Sequence, residues 1–213
     1  MELSRGRSRP DVRARHAAQR EETHRRLLEA TRALVEELPW SRVTIELIAE
    51  RAGVTRTAFY KHFADQRAVL LDLLAETAAQ LEAIPAAWED AADESPETLL
   101  RHAVDVLVAT FHEHGRLLQA FAEEAAHDDE VLRLYTELGG RLSAGVAERI
   151  MRDVAAGASS LADPEEVATA LVWMNERFLR QRFGRHPLGD PERAAEALSQ
   201  VWIRTVYGPR SNG

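Results

Sequence analysis

Apolar residues recur along this chain at three- and four-residue spacing, the mark of helices with one buried face. Strand-like alternation and internal repeats are absent from the pattern. Proline and glycine punctuate it into about nine helices. The first runs over 21–38 on Leu27, Leu28, Leu34, Val35 and Leu38, and stops before Pro39. Two short helices follow. Thr44 caps the first and Ile45, Ile48 and Ala49 bury it; Thr55 caps the second, over 56–62. A fourth starts near Asp65 and ends before Pro85. Ser95-Pro96-Glu97, Asp163-Pro164-Glu165 and Asp190-Pro191-Glu192 each join a cap, a first-position proline and an early acid, so each opens a helix. The first of these runs to about His112, and a separate helix covers 115–126. A longer one covers 128–157, with Gly139-Gly140 as a weak point; the last two cover 164–183 and 191–206. The fold class is all-α.

Between the two short helices lies Ala52-Gly53-Val54. Glycine takes the left-handed backbone of a sharp turn without strain. Helix, tight turn, helix is a DNA-reading layout. On the second helix Val54, Ala58, Phe59 and Phe63 suit the interior. Arg56, Thr57, Tyr60, Lys61 and His62 suit an outward surface, with arginine for guanine edges, threonine for base or phosphate, and tyrosine and lysine for phosphate. The string AGVTRTAFYKHFADQRAVL resembles the helix-turn-helix of TetR-type repressors through Ile48, Ala49, Ala52, Gly53, Val54, Thr55, Tyr60, His62, Phe63 and Leu70. It departs at Thr57 and Ala58, where glycine and threonine are usual, and at Gln66, where lysine is usual. Arg67 is the candidate replacement for that lysine. The expected DNA-contacting set is Thr44, Thr55, Arg56, Thr57, Tyr60, Lys61 and His62.

The formal net charge of −8 runs against a DNA partner until the chain is divided. Residues 1–67 hold 14 basic and 10 acidic residues, a balance of +4; the remainder holds 13 and 25, a balance of −12. A basic head on an acidic body suits a chain that meets phosphate at one end. The division gives a disordered basic arm over 1–20, a helix-turn-helix domain over 21–67, and a helical regulatory and dimerisation domain over 68–213. Two readings of the arm stand: a strand following the DNA backbone or minor groove, and a solubilising tail.

The tail ATALVWMNERFLRQRFG and then EALSQVWIRTVYG resembles the carboxyl end of the ethionamide-resistance (EthR-type) branch of the same family. The matching residues are Met174, Asn175, Glu176, Arg177, Trp202, Thr205, Val206, Tyr207 and Gly208. That resemblance implies an apolar tunnel in which Asn175 bonds a ligand's polar group and Trp202 and Phe111 form walls. Leu100, Leu107, Leu138, Leu142 and Glu176 complete the expected ligand set. From the residues alone, Asn175 in an apolar stripe has three readings: a backbone partner, a partner across a dimer, or a ligand. The resemblance also implies a homodimer paired through the last two helices. Val167, Leu171, Phe178, Leu198, Trp202 and Val206 give those helices apolar faces, with small Ala170, Ala194, Ala195 and Ala197 beside them. The competing reading has these faces closing the core of a single chain.

Enzyme motifs are missing: there is no HExxH, no GxSxG and no phosphate-binding glycine loop. His112 and His114 point some 200° apart on a helix and cannot share a metal. Nothing in the sequence calls for a metal or cofactor. Zero cysteines exclude thiol chemistry, and the Arg-rich start lacks a signal-like apolar stretch, which together with no long apolar run implies a cytoplasmic chain without membrane contact. The expected function is a dimeric repressor of a double-stranded, palindromic DNA operator, released by a small hydrophobic ligand. The alternative is a related regulator without a ligand, controlled by a protein partner or its own concentration, or acting as an activator. An open cavity beside Asn175 favours the first and a filled core the second.

Overall fold

The computed structural model describes residues 12–87 and 94–208, and the described residues form eight α-helices and one short 3-10 turn, with no strand. They fall into two compact units, Met1–Leu70 and Leu71–Gly213.

In the first unit, α1 (Val12–Glu37) packs on α2 (Ile45–Ala52), and α2 on the short α3 (Arg56–Phe59). Helix α1 starts well before position 21. Residues 12–20, expected as part of a disordered arm, are therefore helical; residues 1–11 of that arm lie outside the described residues. Side chains 13–20 are all exposed. They give no apolar period to detect, and alanine, arginine and glutamine carry the helix by propensity. Leu27, Leu34, Ile48, Phe59, Val69 and Leu70 are almost fully buried and form the core of this unit. Helix α3 is shorter than expected. After Phe59 the amides of Lys61 and His62 bond three residues back, to Ala58 and Phe59, tightening the chain into a turn that seats Phe63 inside.

Helix α4 (Gln66–Ala87) crosses from one unit into the other. It continues through Pro85 rather than stopping before it. Pro85 has no N–H to give the Leu81 carbonyl, so that bond is lost, and the helix runs only two residues further. Gly145 leaves room for its ring: a Cβ there would meet Pro85 Cγ at 3.2 Å.

In the second unit α5 (Pro96–Ala125) is the axis, packed on α6 (Asp129–Ala155), α7 (Pro164–Phe183) and α8 (Pro191–Val206). The sequence places two helices where α5 is one, because Gly115 reads as a break. Its role is close approach. A Cβ on Gly115 would lie 2.6 Å from the Phe183 carbonyl oxygen, so its absence lets the end of α7 touch the α5 backbone. Gly139 likewise leaves α6 unbroken. The caps fall where the sequence puts them: Ser95, Asp163 and Asp190 accept from Thr98 N (3.2 Å), Glu166 N (3.2 Å) and Glu192 N (3.0 Å). Asp128 caps α6 through Glu130 N and Val131 N. A buried carboxylate ties the helix ends: Asp153 receives Arg149 at 3.0 Å and the Tyr207 hydroxyl at 2.7 Å. Burial, reinforced by that bond, pushes the Tyr207 phenol well above its usual pKa.

The faces expected to pair two chains are divided. Leu171, Leu198, Trp202 and Val206 are buried within the single chain, as is Ala194, so these residues close the core and do not form an external face. Ala170 and Ala197 are exposed, Val167, Phe178 and Ala195 half-buried.

Gly115→Val should lower the unfolding free energy by ~2–3 kcal/mol, since the added carbons meet backbone that cannot rotate away; urea denaturation of the full chain measures it.

Candidate functional site

The helix-turn-helix surface is built by capping. The Thr44 hydroxyl oxygen accepts from Leu47 N at 3.2 Å and that of Thr55 from Ala58 N at 3.1 Å. Each cap uses an oxygen lone pair, so the hydroxyl proton stays available to a phosphate. Gly53 ends α2 in the left-handed region, at φ 64°. From α1, Arg26 donates to the Ala52 carbonyl and, at 3.4 Å, to that of Gly53. A cation on the last carbonyls of α2 suits the negative end of its dipole. Arg51 and Glu37 form a two-pronged pair at 2.8 and 2.7 Å that also ties α1 to α2.

Thr44, Thr55, Arg56, Thr57, Tyr60 and Lys61 are all exposed. Arg56 bonds the Tyr60 hydroxyl and pairs with Glu46 at 2.6 Å, contacts that raise its pKa. Arg67, half-buried, lies 3.5 Å from Asp65. His62 is the exception. It is half-buried, its ring 5.9 Å from that of His24, which stacks on Phe63 at 4.9 Å. Burial lowers its pKa, helped by His24, Arg20 and Lys61 and opposed by Glu21.

In the second unit one cavity of about 110 Å³ lies among α4, α5, α6 and α7, with Trp202 of α8 at its wall. That is several times the roughly 10–15 Å³ that a water needs. Asn175, Trp202, Phe111, Leu107, Leu142, Leu138, Leu100 and Glu176 all line it. Sequence reasoning missed Leu81, Ile84 and Pro85 at the end of α4, and Phe121, Tyr135, Gly139, Val146 and Trp173. A signal for some of these existed: Tyr135, Leu138, Gly139, Leu142 and Val146 form one stripe at helical spacing on α6. Trp173 carried no such cue, standing next to the matched Met174.

Asn175, 5% exposed, accepts a hydrogen bond from Trp202 Nε1 at 3.0 Å. Because an indole N–H only donates, this contact orients the carboxamide with Oδ1 toward Trp202. The Nδ2 amide has no protein partner among the described residues. Of the three readings of Asn175, the backbone one is replaced by a side-chain partner on α8. Glu176 is already engaged: Arg180 reaches it at 2.5 Å and the Tyr135 hydroxyl bonds it. Burial and that bond push the Tyr135 phenol up. The walls are otherwise almost entirely hydrocarbon and aromatic, the usual make-up of a small-molecule site. His112 is exposed, edge-on to Phe183, while His114 is buried beside Glu113.

Comparison with known proteins agrees with both halves. The family model for the EthR C-terminal domain of transcriptional regulators matches residues 100–208, and that for bacterial regulatory proteins of the tetR family matches 27–73. The chain is 31% identical over 185 residues to the HTH-type transcriptional regulator EthR of Mycobacterium tuberculosis, covering 85% of this chain and 86% of that one. It is 24% identical over 187 residues to the protein of the same name from Mycolicibacterium smegmatis, covering 85% of each. Among solved structures, a TetR-family regulator from Syntrophomonas wolfei superposes with a TM-score of 0.72 at 14% identity, covering 91% of this chain and 99% of that one. A tetR-family protein from Rhodococcus RHA1 superposes at 0.70 with 19% identity, covering 86% and 96%. These structural likenesses concern the fold.

A head whose His62 pKa is lowered holds fewer protons folded than unfolded. Stability present above the ordinary histidine value is lost as pH falls through the lowered one. As pH falls from about 7.5 to 5.5, amide-exchange protection over 27–70, taken relative to the intrinsic exchange rate at each pH, should decrease in the wild type and change less in His62→Gln.

Proposed function

The chain belongs to the TetR family of bacterial regulatory proteins and is a helix-turn-helix transcriptional regulator with an EthR-type C-terminal domain, and on that premise we propose that it is a repressor, binding a palindromic operator as a homodimer and released by a small apolar molecule held at Asn175. The observation that carries the ligand half is the cavity itself, largely apolar, with the buried Asn175 among its lining residues and its two N–H donors unused by the protein among the described residues. An unsatisfied buried donor costs about 1–3 kcal/mol. A ligand with a carbonyl, ester or ether oxygen removes that penalty, and its hydrocarbon part gains by leaving water. Such a ligand is uncharged: Glu176 already has Arg180 and Tyr135 as partners. An open cavity at Asn175 supports ligand control over control by concentration or a protein partner alone.

On the head, Arg56 and Thr57 are the base-reading candidates, while Thr44, Thr55, Tyr60 and Lys61 meet phosphate. His62 borders this surface and is partly withdrawn toward His24. The acidic body keeps DNA from binding elsewhere on the molecule. Dimerisation uses the outer faces of α7 and α8, where Ala170, Ala197 and Val201, 41% exposed, leave small and apolar surface open.

Release follows from linkage. Ligand shifts DNA affinity only by as much as it prefers one state of the dimer over another. The state it prefers spaces the two reading surfaces away from the about 34–36 Å repeat of half-sites on B-DNA. Helix α4 is the lever, because one continuous helix begins just after the reading surface and ends in Leu81, Ile84 and Pro85 at the cavity.

Selection of bound DNA from a random pool should return an inverted repeat. Against that sequence Arg56→Ala should lose about 1–3 kcal/mol of discrimination at one base pair, whereas Lys61→Ala weakens all sequences evenly and reduces the salt slope by about 1. A non-palindromic optimum, or unaltered base preference in both Arg56→Ala and Thr57→Ala, would contradict this reading. Asn175→Leu should keep operator affinity and abolish release by ligands bearing an acceptor oxygen, tested by operator-binding titration with and without them.

A further inference from the structure

Three rings form a continuous aromatic wall in the cavity. Phe121 and Tyr135 have centroids 5.5 Å apart, edge to face, and Tyr135 and Trp173 are also 5.5 Å apart, tilted by 52°. Tyr135 is fixed through its hydroxyl to Glu176, which Arg180 holds from the next turn of α7. Trp173 is held differently. Its indole N–H has no hydrogen-bond partner among the described residues, so contact alone positions the ring.

That contact is made on Gly139 of α6. A Cβ at this position would lie 2.5 Å from Trp173 Cζ2 and 2.8 Å from Cη2, closer than real carbons approach. The absent side chain is therefore the seat of the indole, and any side chain at 139 pushes the ring off α6. Both residues line the cavity, so a shift of the indole changes its wall. A ring set by shape, next to a tyrosine set by a polar bond, is the part of this wall that a ligand or a substitution at 139 shifts readily.

We propose that Trp173, seated on Gly139, is the specificity-determining residue that fixes how long a ligand the cavity accepts. The inference rests on the ligand reading given above. The class it selects is uncharged, with an acceptor oxygen for the Asn175 amide at one end and a hydrocarbon tail that runs to the indole. Trp173 is the end stop for the tail, and Gly139 sets where that stop stands.

Straight-chain methyl ketones of increasing length, titrated into the full-length protein by calorimetry, test this. Wild-type affinity should rise about fourfold per methylene while room lasts, and fall once the tail meets the wall. Trp173→Ala should move that break to longer ketones and Gly139→Ala to shorter ones. The double variant should follow Trp173→Ala, because a methyl at 139 then has no ring to displace. Operator binding serves as the folding control, and Trp173→Phe, which keeps an aromatic wall, should move the break in the same direction by less if Trp173→Ala does not fold. A break unmoved in the folded variants overturns the inference and leaves the ligand reading standing. If the wild type binds no ketone of any length, the ligand reading fails and the inference falls with it.

Discussion

A buried carboxamide in hydrocarbon has to be answered, and in this chain half of the answer comes from the protein. Trp202 supplies a donor to the Asn175 oxygen, which locks α7 to α8 and fixes which way the amide turns. Satisfying the oxygen leaves the N–H pair without a protein partner among the described residues, on a residue that lines the cavity. The same bond thus does two things: it closes the core of the second unit and gives its cavity a defined polarity. Leu171, Leu198 and Val206, each four residues from Asn175 or Trp202 on the same two helices, are also buried.

How legible this was depends on whether a feature is local. Caps and helix starts were readable because Ser95, Asp163 and Asp190 bond amides two or three residues ahead of them. The turn at Gly53 was readable for the same reason. Glycines whose meaning lies in a partner far along the chain were not. Gly115 reads as a break but makes room for Phe183, and Gly139 reads as a weak point but seats Trp173. Helix α1 exceeded expectation because residues 13–20 are all exposed, leaving no apolar period to detect. The cavity residues were found largely through resemblance at the tail; the helical stripe on α6 could have extended them to Tyr135 and Val146. The buried faces of α7 and α8 were misassigned to an outer surface, since periodicity tells that a face is apolar and not what covers it.

Charge is distributed with the same economy. The helix-turn-helix surface carries Arg56 and Lys61 in the open, yet Arg56 is paired with Glu46 and bonded to Tyr60. In the body, Asp153 and Glu176 are each matched by an arginine one helical turn along, so neither leaves a bare charge inside.

Arg26 has a consequence for how such a head is inherited or transplanted. Its guanidinium sits on the carbonyls that end α2, in the space a side chain on Gly53 would fill. The turn between the reading helices is therefore completed from a helix that begins over thirty residues earlier in the chain. A graft cut at the capping threonine would carry every outward-facing residue and still lack the piece that braces their angle. The smallest portable module of this regulator begins upstream of Arg26, inside α1.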